Sequence, residues 1–99
     1  MILITGAVLA RSDTASEVQR LSLEHVHRSR TEPGCISHDV HLDVENNLRF
    51  VFLERWADMD AVRAHFAVPE SRAFARALGA LAAEPPVMNV YDAQGVTVG

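Results

Sequence analysis

The segment Leu48–Trp56, which reads LRFVFLERW, decides the fold of this chain. Aromatic and β-branched residues at this density are typical of a strand. Side chains alternate between the two faces of a strand, and here both faces are apolar. One face carries Phe50, Phe52 and Trp56, and the other carries Val51 and Leu53. The segment therefore predicts a strand that is covered on both sides.

Three further strands are predicted on either side of this segment. Cys35–Asp43 precedes it and is joined to it by the turn Glu45-Asn46-Asn47, as in a hairpin. Ile2–Ala10 is again apolar on both faces, and Val87–Tyr91 is the last strand.

Helical periodicity fills the intervals between the strands. Thr14-Ala15-Ser16-Glu17 fits a capping box, and the helix that follows has an apolar stripe that includes His25. Asp58 is expected to cap a short helix with His65 on its apolar side, and Pro69 is expected to begin another helix.

This order of elements, β-α-β-β-α-β, predicts an α+β fold of the ferredoxin-like split βαβ type with an antiparallel four-stranded sheet. Its helices cover only one face of the sheet, which leaves a large apolar patch that monomers rarely expose. We therefore expect a homodimer, with sheet packed against sheet. Residues 1–92 form a single domain, and residues 93–99 form a tail that could add a short strand to the edge of a neighbouring copy.

Composition excludes several classes of function. The 99 residues carry a net charge of -4, and all nine basic residues are arginine, so no nucleic acid and no anionic membrane surface is an expected partner. Met1–Leu9 is apolar but lacks basic residues and is too short to cross a membrane, so a cytoplasmic location is expected. The one cysteine, Cys35, excludes an internal disulfide and a cysteine-rich metal site.

Three separated pieces of the sequence, EPGC at residues 32–35, FLERW at 52–56 and AHF at 64–66 with a proline at 69, resemble the antibiotic biosynthesis monooxygenase family. The resemblance is to its small members of the quinol-monooxygenase type. It implies a dimeric α/β barrel and the cofactor-free oxidation of aromatic quinols or polyketide anthrones with O₂. No cofactor and no metal is therefore expected.

The resemblance also implies site residues. Trp56 and His41 fall where polyketide-oxidising members carry a pocket Trp and a His, whereas the Asn, Tyr and Arg of those members would align with Phe52, Val62 and Ala75. The reaction needs a base for a phenolic proton, and histidine is the natural one near neutral pH. We predict His65 or His41 as this base. The predicted substrate-binding residues are Trp56, His38, Phe66, Phe52, His25, Asn89 and Tyr91.

Each of these residues also has a purely structural interpretation, for example Trp56 or Tyr91 as a core side chain with a satisfied polar group. His38 and His41 are three apart on one strand and so lie on opposite faces, which prevents them from sharing a metal ion. The leading prediction is a cofactor-independent monooxygenase acting on an aromatic quinol or polyketide-like molecule. The alternatives are a non-catalytic small-molecule-binding or stress-associated dimeric module, or a cofactor-free isomerase on the same scaffold.

Overall fold

A computed structural model describes residues 1–99 of the chain. The elements are β1 (Ile2–Leu9), α1 (Ala15–Ser29), β2 (Cys35–Asp43), β3 (Asn46–Trp56), α2 (Met59–Ala67), α3 (Pro69–Leu81) and β4 (Val87–Asp92). The strands form one antiparallel sheet in the order β2-β3-β1-β4. The predicted α+β ferredoxin-like fold is confirmed, and its second helical region is divided into α2 and α3.

The register of the central strand β3 determines which side chains share a face. Glu54 lies opposite Ile4 of β1 and His38 of β2, so these three side chains point to the same side of the sheet. The helices pack on this side, where Phe52 and Trp56 are also buried. None of the buried strand residues lies on the other side.

The core between the helices and the sheet has two parts. The larger part joins the sheet to α1 and α3 and consists of Val8, Ala10, Val18, Val26, Phe50, Phe52 and Leu78. The smaller part joins the sheet to α2 and consists of Ile2, Ile4, Trp56 and Val62. Burying side chains of this size stabilises the fold by roughly 1.5–3 kcal/mol each.

The helix and turn predictions have mixed outcomes. Asp58 does cap α2, because its side chain accepts a hydrogen bond from the Ala61 N–H at 2.9 Å. The prediction of a capping box at Thr14 is wrong. The Thr14 hydroxyl donates a hydrogen bond to the carbonyl of Leu81 at 2.7 Å and makes no capping hydrogen bond to α1.

The hairpin connection is also two residues shorter than predicted, because β3 begins at Asn46 instead of Leu48. Asn46 already belongs to β3, so Val44 and Glu45 alone connect the two strands. The side chain of Asn46 accepts a hydrogen bond from the Leu48 N–H at 3.0 Å, which holds the start of the strand. None of the three helices is both long enough and apolar enough to span a membrane.

Candidate functional site

A cavity of about 290 Å³ lies between α3, the start of β4 and the helix-covered face of the sheet. Its aromatic walls are Phe52, Phe66 and Phe74, and its titratable side chains are His25, Glu54 and His65. A mostly apolar cavity with a few convergent polar groups is the usual form of a small-molecule site.

His65, on the inner side of α2, is held by a carboxylate. Its Nδ1 lies 2.7 Å from Oε1 of Glu32, and the imidazole is only 3% exposed. A carboxylate can only accept a hydrogen bond, so Nδ1 carries the proton and Nε2 keeps a free lone pair. His65 is therefore arranged as a base whose ring lines the cavity.

The turn at Gly34 brings Glu32 close to α2. Gly34 has φ +82°, a conformation that side chains other than that of glycine rarely adopt. A Cβ at this position would lie 2.5 Å from the Cβ of Ala61 on α2, so only glycine lets the turn pack directly on that helix. The turn and the helix together set the contact between Glu32 and His65.

His25, on α1, is paired with a cation, whereas His65 is paired with a carboxylate. Nη2 of Arg28 lies 2.7 Å from Nδ1 of His25. A guanidinium can only donate, so Nδ1 accepts and the imidazole proton is on Nε2. Burial is the largest cause that lowers the pKa of His25 to about 2, and the neighbouring imidazoles and guanidinium lower it further, so the ring is neutral at neutral pH. The ring also stacks on Phe74 with 4.0 Å between the centroids.

Glu54 is a buried carboxylate behind these two rings. The Trp56 indole N–H donates to its Oε1 at 2.9 Å, and Nε2 of His38 lies 3.2 Å from the same oxygen. Burial raises the pKa of Glu54, but the contacts with His38 and Trp56 outweigh it and hold the pKa below its usual value. The His38 nitrogens are near this charge, but neither is aligned for a hydrogen bond.

The three buried imidazoles form one cluster, although they come from three different elements. The ring centroids of His25, His38 and His65 are 5.2–5.5 Å apart, and one nitrogen of each lies within 4.8 Å of the others. Three imidazole nitrogens can bind a metal such as zinc. The Arg28 guanidinium opposes a cation here, because it keeps the His25 proton on Nε2 and adds a positive charge beside the ring.

The structure brings together most of the residues that the sequence singled out. His65, His25, Phe52 and Phe66 line the cavity. His38 and Trp56 are fully buried next to it, in contact with Glu54.

Three of the predicted site residues are placed elsewhere. His41 lies opposite Val51, on the side of the sheet away from the helices, because it is three residues from His38 on a strand that alternates. Asn89 and Tyr91 lie on that same side, opposite Thr5 and Leu3. The assignment of these residues to the cavity of their own chain is therefore corrected.

Three charged residues of the site were missed from the sequence: Glu32, Arg28 and Glu54. A signal existed for Glu54, since it alternates with Phe52 and Trp56 and is the one charged residue on that apolar face. Glu32 lies in a turn and Arg28 on a helix flank, and nothing in the local sequence separates them from solvated charges.

Comparisons with known proteins identify the family. The family model described as antibiotic biosynthesis monooxygenase matches residues 1–77. An uncharacterised protein of Synechocystis sp. is 31% identical over 90 residues, which cover 91% of this chain and 61% of that relative, so the chain spans about three fifths of the relative's length.

Solved structures share the fold at lower identity. A protein from Deinococcus radiodurans has a TM-score of 0.93 at 23% identity, with 100% of this chain and 99% of the other covered. The Rv0793 protein of Mycobacterium tuberculosis has a TM-score of 0.90 at 21% identity, with 98% of each covered. A structure described as an antibiotic biosynthesis monooxygenase has a TM-score of 0.88 at 24% identity, with 96% of this chain and 100% of the other covered. These likenesses show the fold, and with the match over residues 1–77 the chain belongs to the antibiotic biosynthesis monooxygenase family.

Proposed function

We propose that this chain is a cofactor-independent monooxygenase that oxidises an aromatic quinol or a polyketide-like small molecule with O₂. The observation that carries the proposal is the pair formed by Glu32 and His65, which leaves Nε2 of a buried imidazole as a free base at an aromatic-walled cavity. The name of the family supports the reaction class.

In the proposed reaction, His65 removes the proton of a phenolic hydroxyl. The resulting phenolate is the electron donor to O₂, because deprotonation raises the energy of the ring electrons. For a hydroquinone, one oxygen atom of O₂ enters the ring and the other leaves as water. The substrate itself supplies all the electrons and ends as a hydroxyquinone, so no external reductant is needed.

Two carboxylates stabilise the imidazolium that forms when His65 takes up the proton. Glu32 hydrogen-bonds Nδ1 directly, and Glu54 lies near enough for the charge on His65 to contribute to lowering the pKa of its carboxyl. Charge stabilisation of this kind is stronger inside a protein than in water, because the local dielectric constant is lower. The apolar walls keep water from the oxygen adduct.

We propose that the working unit is a homodimer. The side of the sheet away from the helices has Leu3, Val51 and Leu53 at its centre, all partly exposed. Val87 and Tyr91 are exposed on the same side of β4. A second copy packed on this side would remove these apolar side chains from water. In such a pair His41, Asn89 and Tyr91 would lie at the interface.

The test is O₂ consumption with a hydroquinone or an anthrone, measured with an oxygen electrode. We expect uptake by the wild-type protein and a fall in kcat/KM of about 10²–10⁴-fold in His65→Ala, the range for loss of a general base. His27→Ala is the matched control, because His27 lies on α1 with its side chain exposed.

Wild-type uptake no greater than that of His65→Ala would overturn the monooxygenase proposal for those substrates. Binding of the aromatic compound without O₂ uptake would instead favour the binding-module alternative. Conversion without O₂ uptake would favour the isomerase.

A further inference from the structure

We infer that His25 and His65 together form a subsite for a phenolic hydroxyl, in which the Nε2–H of His25 donates to the hydroxyl oxygen and Nε2 of His65 accepts its proton. Arg28 is the positioning residue that keeps His25 in the donating tautomer. This inference deepens the proposed function, since it names the group that the base acts on.

The two imidazoles present opposite polarity to the cavity. Glu32 fixes the proton of His65 on Nδ1, which makes the other nitrogen an acceptor. Arg28 fixes the lone pair of His25 on Nδ1, which makes the other nitrogen a donor. A hydroxyl is both donor and acceptor, so it satisfies both rings at once, whereas a carbonyl or a methyl ether satisfies only His25.

The spacing of the cluster suits a single oxygen atom. One nitrogen of each of the three rings lies within 4.8 Å of the others. One oxygen atom can make hydrogen bonds of roughly 2.7–3.0 Å to two nitrogens that are no more than this far apart.

His38 is a second, independent sign that a polar ligand atom belongs here. It is 0% exposed; its Nε2 lies 3.2 Å from Oε1 of Glu54 without the alignment of a hydrogen bond, and its Nδ1 has no hydrogen-bond partner. Leaving a buried polar group without a partner costs roughly 1–3 kcal/mol of stability. This cost indicates that a polar atom of a ligand belongs next to His38. A ligand oxygen among the three rings would supply the missing contact.

The role of His25 continues after the proton has moved. Once His65 holds the proton, the oxygen is a phenolate, and hydrogen bonds to charged acceptors are about twice as strong as neutral ones. His25 stays a neutral donor across the neutral pH range, because burial depresses its pKa. It therefore does not compete with His65 for the substrate proton.

The first test reads the tautomers directly by ¹⁵N NMR of the histidines in the free wild-type protein. We expect His25 to be protonated on Nε2 and His65 on Nδ1. In Arg28→Met, His25 should become a mixture of the two tautomers, while Arg76→Met, which changes an exposed arginine on α3, should leave the spectrum as in the wild type.

The second test is titration calorimetry with phenol and with anisole, its methyl ether. Phenol should bind the wild type about tenfold more tightly than anisole, because the ether offers His65 no proton. His25→Phe keeps a ring to stack on Phe74 but removes the donor, and it should weaken phenol binding about tenfold. His27→Phe is the matched control on the exposed side of the same helix and should bind phenol as the wild type does.

Several results would overturn the inference. These are a His25 proton on Nδ1 in the free protein, no phenol binding at millimolar concentration, equal affinity for phenol and anisole, or unchanged phenol binding by folded His25→Phe. Both tests run without O₂ turnover. A protein that passes them but consumes no O₂ with any quinol would therefore keep the hydroxyl subsite and lose the proposed monooxygenase reaction.

Discussion

At the scale of single residues, the site uses the same type of side chain, histidine, in two different hydrogen-bonding states. His65 is paired with the carboxylate of Glu32, and His25 is paired with the guanidinium of Arg28. A carboxylate fixes a proton on the nitrogen it contacts, and a guanidinium fixes a lone pair. The charge of the partner therefore decides whether an imidazole serves as a base or as a donor.

The buried, neutral state of His25 makes a prediction about stability. The folded-state pKa of about 2 lies below the unfolded value of about 6.5, so the unfolded chain binds more protons between these limits. The free energy of unfolding should thus be greatest above pH 6.5 and fall as the pH drops. This residue should contribute about 1.4 kcal/mol per pH unit to that fall.

The measurement is urea unfolding at several pH values between about 4.5 and 7.5, followed by the fluorescence of Trp56, the only tryptophan. His25→Phe should lose that part of the pH dependence and gain stability relative to the wild type at the acid end. His27→Phe, with its exposed imidazole replaced, should keep the wild-type slope. Parallel curves for the wild type and His25→Phe would contradict the buried, neutral His25.

The sequence allowed some of these residues to be predicted, and the reason lies in local periodicity. The apolar stripes of the helices predicted that His25 and His65 point inwards, and strand alternation predicted that His38 and His41 point to opposite faces. The partners of these rings are set by long-range contacts. Glu32 is 33 residues from His65 along the chain, and no local pattern joins them.

At the scale of elements, α2 is positioned by the turn that precedes β2. The turn residue Gly34 packs on Ala61 of α2, and its carbonyl accepts a hydrogen bond from the Ala57 N–H at 2.8 Å, just before the helix. The turn carries Glu32 and α2 carries His65, so the packing of the turn on α2 sets the hydrogen bond between these two side chains. The geometry of the base thus depends on how closely two elements approach.

Gly34→Ala should therefore destabilise the protein by about 2 kcal/mol or more, from the positive φ together with the contact with Ala61. The same change should lower the rate of O₂ uptake, because α2 must move away from Glu32. Gly79→Ala is the matched control: Gly79 lies in α3 with nothing within 4 Å of an added Cβ, and the substitution should stabilise by up to about 1 kcal/mol. Thermal unfolding of both variants measures the difference, and equal melting temperatures would refute this account of the turn.

Element boundaries show where local sequence signals are overridden. Asp58 acts as the cap that its position predicts, because the N–H groups of α2 are its nearest donors. Thr14 has the same capping chemistry, yet its hydroxyl donates to the carbonyl of Leu81, 67 residues away, at the end of α3. The contact between α1 and α3 competes with the local cap, and only the tertiary structure shows which of the two forms.

At the scale of the whole molecule, the distribution of helices leaves the sheet with two unlike sides. All three helices pack on the side that carries the histidine cluster, and the other side keeps Leu3, Val51 and Leu53 only partly covered. The apolar character of this second side was visible in the sequence, because Leu48–Trp56 alternates between two apolar sets. No element of the chain packs on this side, and we propose that a second copy covers it.

Substituting Leu53 tests this pairing. Leu53 lies in the middle of the sheet, opposite Thr5 on β1 and Asp39 on β2, so an arginine there would place a charge at the centre of the proposed interface. We expect the wild type to have twice the 10.9 kDa mass of one chain in light scattering at micromolar concentration, and Leu53→Arg to have the mass of one chain while keeping its circular dichroism spectrum. Val44→Arg, in the fully exposed hairpin turn, should remain paired like the wild type. A wild-type protein that stays at the mass of one chain, or a Leu53→Arg variant that pairs as the wild type does, would show that this side of the sheet is not the interface.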